Sequence, residues 1–317
     1  MNRNKQYILN ALFLVLILVV SSCGNHQSEK DARSATSDIS ETFDGTSEAV
    51  SVTTLWNNRP DTTLIDTSSS MEVATQNLRT FENEKIEKVK KLDNGIAIKW
   101  LVDQKGRTIK DGEMVLIEYR LSLPDGKIVA GNNPNMPFMP FVVGYNMQTL
   151  GWDIALKELS VGDFAKIELP ASFAYGSKGI KDVIPANSKV WLFVKIYSYI
   201  EPGINKNGVK SWLVKQGEKM ASDAQNTLEF TIQMTVSSKT RSNIVNTYFN
   251  NAPLIYTRGQ RNLLPGLRNL VDSSRKGDRF LVLLAPEKGF GPNGFSDKIS
   301  SQDTILVNME IEDVRGI

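Results

Sequence analysis

One Cys, Cys23, and one His, His26, are the chain's whole supply of thiol and imidazole. Cys–His or Ser–His–Asp catalysis would have to run through His26, which lies in a polar, low-complexity stretch unsuited to holding a triad. The same count excludes zinc sites built on Cys/His spacing, and an intrachain disulfide. A clearer candidate is LPASFAYGSKGIKDVIPANSKVW, Leu169–Trp191. Tyr175, two glycines and the run Val183-Ile184-Pro185 stand there between two apolar stretches. A hairpin turn needs roughly two to five residues. A longer connection without regular structure is uncommon and often functional.

The bulk numbers leave room for a substantial core around that loop. With 317 residues the chain has the length of two domains, and 41% hydrophobic with 23% charged residues is ordinary globular composition. A formal net charge of +2 gives no general argument for nucleic acid. MNRNKQ followed by YILNALFLVLILVV reads as a basic start and an apolar run of signal-peptide length, short of a comfortable membrane span. It ends in VSSCG, which resembles the bacterial lipoprotein cleavage box. That resemblance implies a signal peptide over 1–22 and an acylated Cys23 as membrane anchor, because several acyl chains hold a protein stably to a bilayer. The expected location is the cell envelope. Gly24, rather than Asp, after the Cys favours the outer membrane by the same resemblance.

From Gly24 to about Ser70 the sequence is rich in Ser, Thr, Asp and Glu, with too little apolar surface to offset chain entropy, and reads as a solvated tether. Glu72–Leu92 reads as a mainly helical, charged lead-in, so the tether is placed over 23–83. Beyond it, segments recur at a spacing of about 115 residues. Gly144/Gly259, Gly151/Gly266, Gly162/Gly277, Gly176/Gly291, Gly179/Gly294 and Ile184/Ile299 all keep one constant offset. Two copies of one domain are expected, over 84–200 and 205–317. In the first copy MVLIEYRLSLPDGKIV alternates, with Val115, Ile117, Tyr119 and Leu121 on one face. WDIALKEL spaces Trp152, Leu156 and Leu159 as a short helix with one apolar stripe. PFVVG, FAKIELP and SKVWLFVKIYSYI are further strands. The fold class read from this pattern is α+β, each domain a curved antiparallel sheet folded over a short helix.

DGEMVLIEYRLSLPDG, GWDIALKELSVGDFAKIELPASFAYGSKG and VIPANSKVWLFVKI together resemble the FKBP family of peptidyl-prolyl isomerases over about Leu92–Ile200. The second copy resembles it more distantly, over about Asn207–Val314. In that family the AYG-to-VIP loop overhangs an apolar pocket for a proline ring. The resemblance implies Trp152 as pocket floor, Tyr119 and Leu192 as walls, and Val183 and Ile184 reaching in from the loop. Tyr175 would offer its hydroxyl to a substrate carbonyl, and the Thr149 backbone N–H would hold the carbonyl beside the proline. Gln148 lines the same entrance, and Met139, with Phe141 near it, falls where the family closes its pocket. The family's usual Phe-Asp after DGK is replaced by Val129-Ala130.

Such a site needs no metal, cofactor or nucleophile. The peptide bond is held planar by a barrier of about 18–20 kcal/mol. An apolar pocket favours the twisted, less charge-separated transition state, and fixed donors hold the flanking carbonyls. Two functions stay open on these residues. One is prolyl isomerisation of extracytoplasmic, Pro-containing polypeptides or envelope proteins, mainly in the first copy. The other is a chaperone-like lipoprotein that holds such chains with little turnover, which the Val129-Ala130 departure favours. In the second copy the floor becomes Leu267, Tyr175 becomes Phe290, Val183 becomes Lys298 and Pro185 becomes Ser300, so that copy is expected to keep the fold and lose most activity.

Overall fold

The computed structural model describes residues 85–132, 138–218, 227–249 and 251–317. The signal peptide over 1–22, Cys23 and the tether expected over 23–83 lie outside these residues. Two seven-stranded antiparallel sheets follow one another along the chain. Among the described residues no helix is long and apolar enough to cross a membrane.

The first sheet corrects one expectation. Lys88–Lys91 is a strand, β1, paired antiparallel with β2 (Ala97–Val102), and not the end of a helix. All four β1 residues are exposed, so no buried face dictates the strand. The turn after it does. Gly95 N–H donates to the Leu92 carbonyl and Leu92 N–H to that of Ile96, both at 2.9 Å, while Asn94 Oδ1 accepts from Ile96 N–H at 3.1 Å. The tight return puts KVKK alongside an ordered strand, and pairing overrides the helical propensity of its lysines. The remaining residues of the expected lead-in, 72–84, are outside the described range.

Then follow β3 (Met114–Ser122), β4 (Ile128–Gly131), β5 (Met139–Val142), helix α1 (Leu150–Leu156), β6 (Phe164–Leu169) and β7 (Val190–Ile200). Strand order is β1-β2-β6-β7-β3-β4, with β5 also on β3. Val115, Ile117, Tyr119 and Leu121 all enter one core with Trp152, Ala155, Leu156 and Leu159. The helix stops at Leu156, yet Leu159 stays on the buried stripe. Glu158 N–H bonds back to Ala155 O at 3.0 Å and Leu159 N–H to Leu156 O at 3.1 Å, the tighter winding with which helices often end.

The second sheet holds β8 (Ile204–Lys206), β9 (Val209–Lys215), β10 (Leu228–Ser238), β11 (Val245–Asn246), β12 (Leu254–Thr257), helix α2 (Arg268–Asp272), β13 (Arg279–Leu284) and β14 (Ile305–Gly316). Its order, β8-β9-β13-β14-β10-β11 with β12 on β10, repeats that of the first sheet strand for strand. Leu263, Leu267 and Val271 sit in its core where the first unit has residues of α1 and the turn before it. Both units are mostly sheet, with α1 and α2 the only α-helices among the described residues.

A third apolar cluster lies between the sheets. Met114, Leu116, Val142, Tyr145 and Ile200 of the first unit meet Trp212, Val214, Leu281, Leu283 and Leu306 of the second. Trp212 Nε1 donates to the Ile200 carbonyl at 2.9 Å. This contact explains why β3 begins apolar on both faces: its odd positions face α1, and Met114 and Leu116 face the other unit.

Candidate functional site

Trp152 enters the site from the first turn of α1, with 1% of its surface exposed. Phe141, from β5, stacks on it at 5.8 Å between ring centroids and 19° between planes. Tyr119, from β3, meets it edge-on at 5.0 Å and 73°. Such offset and edge-to-face pairs suit the ring quadrupoles and contribute roughly 0.5–1.5 kcal/mol each beyond area burial. Met139, Ile184 and Leu192 are buried in the same cluster, and Tyr175 and Val183 pack against it half-buried. Gln148 and Thr149 are half-buried at the start of α1, where Thr149 is the N-cap residue. Tyr119, Met139, Phe141, Trp152, Tyr175, Val183, Ile184 and Leu192 thus lie in or against one cluster, and Gln148 and Thr149 are outside it, in the turn that leads into α1.

The loop from Tyr175 to Pro185 has a fixed form. Ile180 and Ile184 make an isolated antiparallel bridge, with Ile180 N–H donating to Ile184 O at 2.7 Å. Gly179 closes the turn at φ +58°, and a Cβ there would overlap the Ile184 carbonyl. Gly294 in the second unit has φ +61° and the same conflict with Ile299. The turn is therefore closed to side chains in both copies, which is why the glycine recurs.

The polar groups are few. Burial pushes the Tyr175 hydroxyl up to about 12, and burial together with the neighbouring Tyr175 raises that of Tyr119 further. Both stay protonated donors at any physiological pH. Among the described residues, neither the Tyr175 hydroxyl nor the Thr149 amide donates a hydrogen bond within the protein. The Trp152 indole N–H and Thr149 Oγ1 are likewise buried without a partner among the described residues. The floor itself is closed over, with Phe141 and Leu192 at 0% exposure. Ala130 and Val129, where an acid and a phenyl ring are usual in the resembling family, lie on β4 against the same core.

Sequence reasoning missed Asp153, 3% exposed beside the floor tryptophan. Its carboxylate accepts from Gly144 N–H and Asn146 N–H, both at 2.7 Å, and so hangs the loop before α1 on the helix. A polar residue among the apolar positions of a helix of seven residues was the available signal. Burial raises its pKa to about 6, partly offset by the two amide donors. A folded-state value above the unfolded one means stability is greatest below the unfolded pKa and is lost as pH rises through about 6. From pH 4 to 7, wild type should therefore lose ~3 kcal/mol relative to Asp153→Asn, two pKa units at about 1.4 each. Parallel urea unfolding of the two proteins across that range checks it; a constant difference would contradict it.

The first unit is thus a short helix packed on an antiparallel sheet, with three aromatic rings meeting at the helix start. Residues 105–197 match the family described as FKBP-type peptidyl-prolyl cis-trans isomerase. The match falls within the first unit and is a similarity to that family over less than a third of the chain. FK506-binding protein 3 of Kluyveromyces lactis is 37% identical over 111 residues, 35% of this chain and 26% of the relative. A protein of Saccharomyces cerevisiae named peptidyl-prolyl cis-trans isomerase is 36% identical over 111 residues, again 35% of this chain and 26% of that one. The chain thus spans about a quarter of the length of these curated relatives. Among solved structures, the three FKBP domains of wheat FKBP73 align at 19% identity and a TM-score of 0.36, covering 72% of this chain and 99% of that one.

Proposed function

We propose that the first unit, residues 84–200, catalyses cis–trans isomerisation of Xaa-Pro bonds in polypeptides outside the cytoplasm, and that an acylated Cys23 holds the chain to the membrane. The observation that carries the reading is the convergence of Tyr119, Phe141 and Trp152 beneath a loop that carries the undonated Tyr175 hydroxyl. The apolar cup receives the proline ring and strips water from the bond. Rotation out of plane ends the amide resonance, and a site of low polarity costs the twisted state less than the planar one. The Tyr175 hydroxyl and the Thr149 amide hold the flanking carbonyls so that binding energy goes into the twist. Each tenfold of rate needs only about 1.4 kcal/mol.

The second unit, residues 205–317, reads as a diverged copy without this machinery. Leu267 is fully buried at the floor position, and Phe290, which has no hydroxyl, pairs with Phe295 at 4.9 Å. Lys298 is exposed where Val183 overhangs the first site. A solvated charge at the rim works against a dry pocket.

A second reading, a binder with little turnover, is favoured by Val129-Ala130 and by the closed floor. Tyr175→Phe in the full chain separates the two. Loss of one hydrogen bond to a substrate carbonyl should lower kcat/KM about 2- to 12-fold, for roughly 0.5–1.5 kcal/mol, with the unfolding midpoint unchanged. Wild-type efficiency in the folded variant would remove Tyr175 from the mechanism.

A further inference from the structure

The second unit's contact with the first falls at the loop that leads into the proposed site. Asn146, 8% exposed, donates through Nδ2 to the backbone carbonyls of Ser238 and Lys239, both at 2.9 Å. Its own N–H is one of the two that bind Asp153. Asn146 therefore ties the end of β10 to α1, three residues before Thr149. Lys239 Nζ reaches Asp111 at 2.8 Å, and the same carboxylate takes Lys157, at the end of α1, at 3.2 Å. Gly112 N–H donates to the Val143 carbonyl at 2.8 Å, while its own carbonyl accepts from Lys210 Nζ of the second unit at 3.0 Å. Val142 and Tyr145, on either side of Val143 and Gly144, are packed in the apolar junction. This loop is thus held from the second sheet, from α1 and from the Gly112 turn.

The grip runs in one direction. At the repeat positions of Asn146 and Asp153 the second unit has Arg261, exposed, and Arg268, which donates to the Arg261 carbonyl at 3.3 Å within its own loop. Neither could reproduce an amide donor held between two carbonyls and a buried acid beneath it. A side chain with φ of +51° that is both buried and bonded across units is costly to keep unless the position matters, and Asn tolerates that backbone better than most residues.

We propose that the second unit acts as a brace for the first. Its Ser238–Lys239 corner fixes Asn146, and Asn146 sets the position of Gln148 and Thr149 at the pocket entrance. Asn146 is then a positioning residue for isomerisation, and the diverged copy contributes to catalysis without a site of its own. The inference rests on the isomerase reading of the first unit.

The test uses the full chain with Asn146→Asp, which keeps tolerance of the backbone but turns a carboxylate on two carbonyl oxygens. Asn146→Gly accompanies it, since glycine fits the same φ and leaves only the side-chain bonds missing. Three readouts are taken: kcat/KM on a Xaa-Pro peptide, the unfolding midpoint, and the amide resonance of Thr149. Both variants should lose about 3- to 10-fold in kcat/KM while folded, with the Thr149 resonance displaced. Arg315→Ala, which breaks the ion pair with Glu229 on the second sheet, should leave kcat/KM and the Thr149 resonance as in wild type. Wild-type kcat/KM in folded Asn146→Gly overturns the brace. If the wild-type chain itself gives no acceleration, the isomerase reading falls, and an unmoved Thr149 resonance in Asn146→Gly would then overturn the brace as well.

Discussion

Trp152→Ala should cost the first unit ~3–5 kcal/mol of unfolding free energy and remove its site together with its stability. The indole is 1% exposed and touches two rings, so its removal leaves a large cavity lined by Phe141, Tyr119 and Leu192. Two opposing effects could reduce the loss. Collapse of the cavity is limited, because Phe141 and Tyr119 are fixed in paired strands on either side. Relief of the unpartnered indole N–H is the other, and at roughly 1–3 kcal/mol it offsets only part of the lost packing. Urea unfolding followed by the circular dichroism of the first transition measures the cost. A loss below about 1 kcal/mol would show that the indole is not the packed floor described here.

Asp163→Ala should be comparably damaging for a different reason. The carboxylate, 1% exposed, accepts from Trp100 Nε1, Gln104 N–H and Ser160 N–H, each at 2.9 Å. Alanine leaves a buried indole donor and a buried amide unmet, and each such donor costs about 1–3 kcal/mol. An expected total of ~3–5 kcal/mol follows from those two and the partly buried third. The repeat supplies an internal comparison. Asp278 accepts from Gly217 N–H at 2.6 Å and Arg275 N–H at 2.7 Å, two donors among the described residues rather than three. Asp278→Ala should therefore cost less than Asp163→Ala. Thermal unfolding of both variants in the full chain checks the order, and its reversal would contradict the account of these anchors.

The duplication was legible because turn glycines and alternating strands are local demands of the backbone. Gly179 and Gly294 recur because a Cβ at either place meets a carbonyl. The aromatic cup was legible only through the resemblance to the FKBP family: Tyr119, Phe141, Trp152 and Leu192 come from four separate elements yet enter one cluster. What the sequence did not disclose is where contacts depend on backbone partners or on the other unit. Asn146 binds two carbonyl oxygens that any residues at 238 and 239 would present, so no residue type marks the contact. Met114, Leu116, Leu281 and Leu306 read simply as buried strand positions, since alternation cannot tell a unit's own helix from a neighbouring sheet. Asp153 was passed over because a carboxylate on a short helix normally faces water. The composition of Lys88–Lys91 favours helix, while its pairing partner lies beyond a turn.

The central claim is turnover at the first unit's cup, and one measurement meets it most directly. The cis-to-trans relaxation of a short Xaa-Pro peptide is followed without a coupling protease, at increasing concentrations of the full chain, beside Tyr175→Phe. Unaided, that relaxation takes tens to hundreds of seconds. The account expects a rate that rises in proportion to wild-type protein, with a slope about 2- to 12-fold smaller for the folded variant. A rate that stays at the uncatalysed value while the peptide is shown to bind would contradict it, and would leave the chain a holder of proline-containing polypeptides.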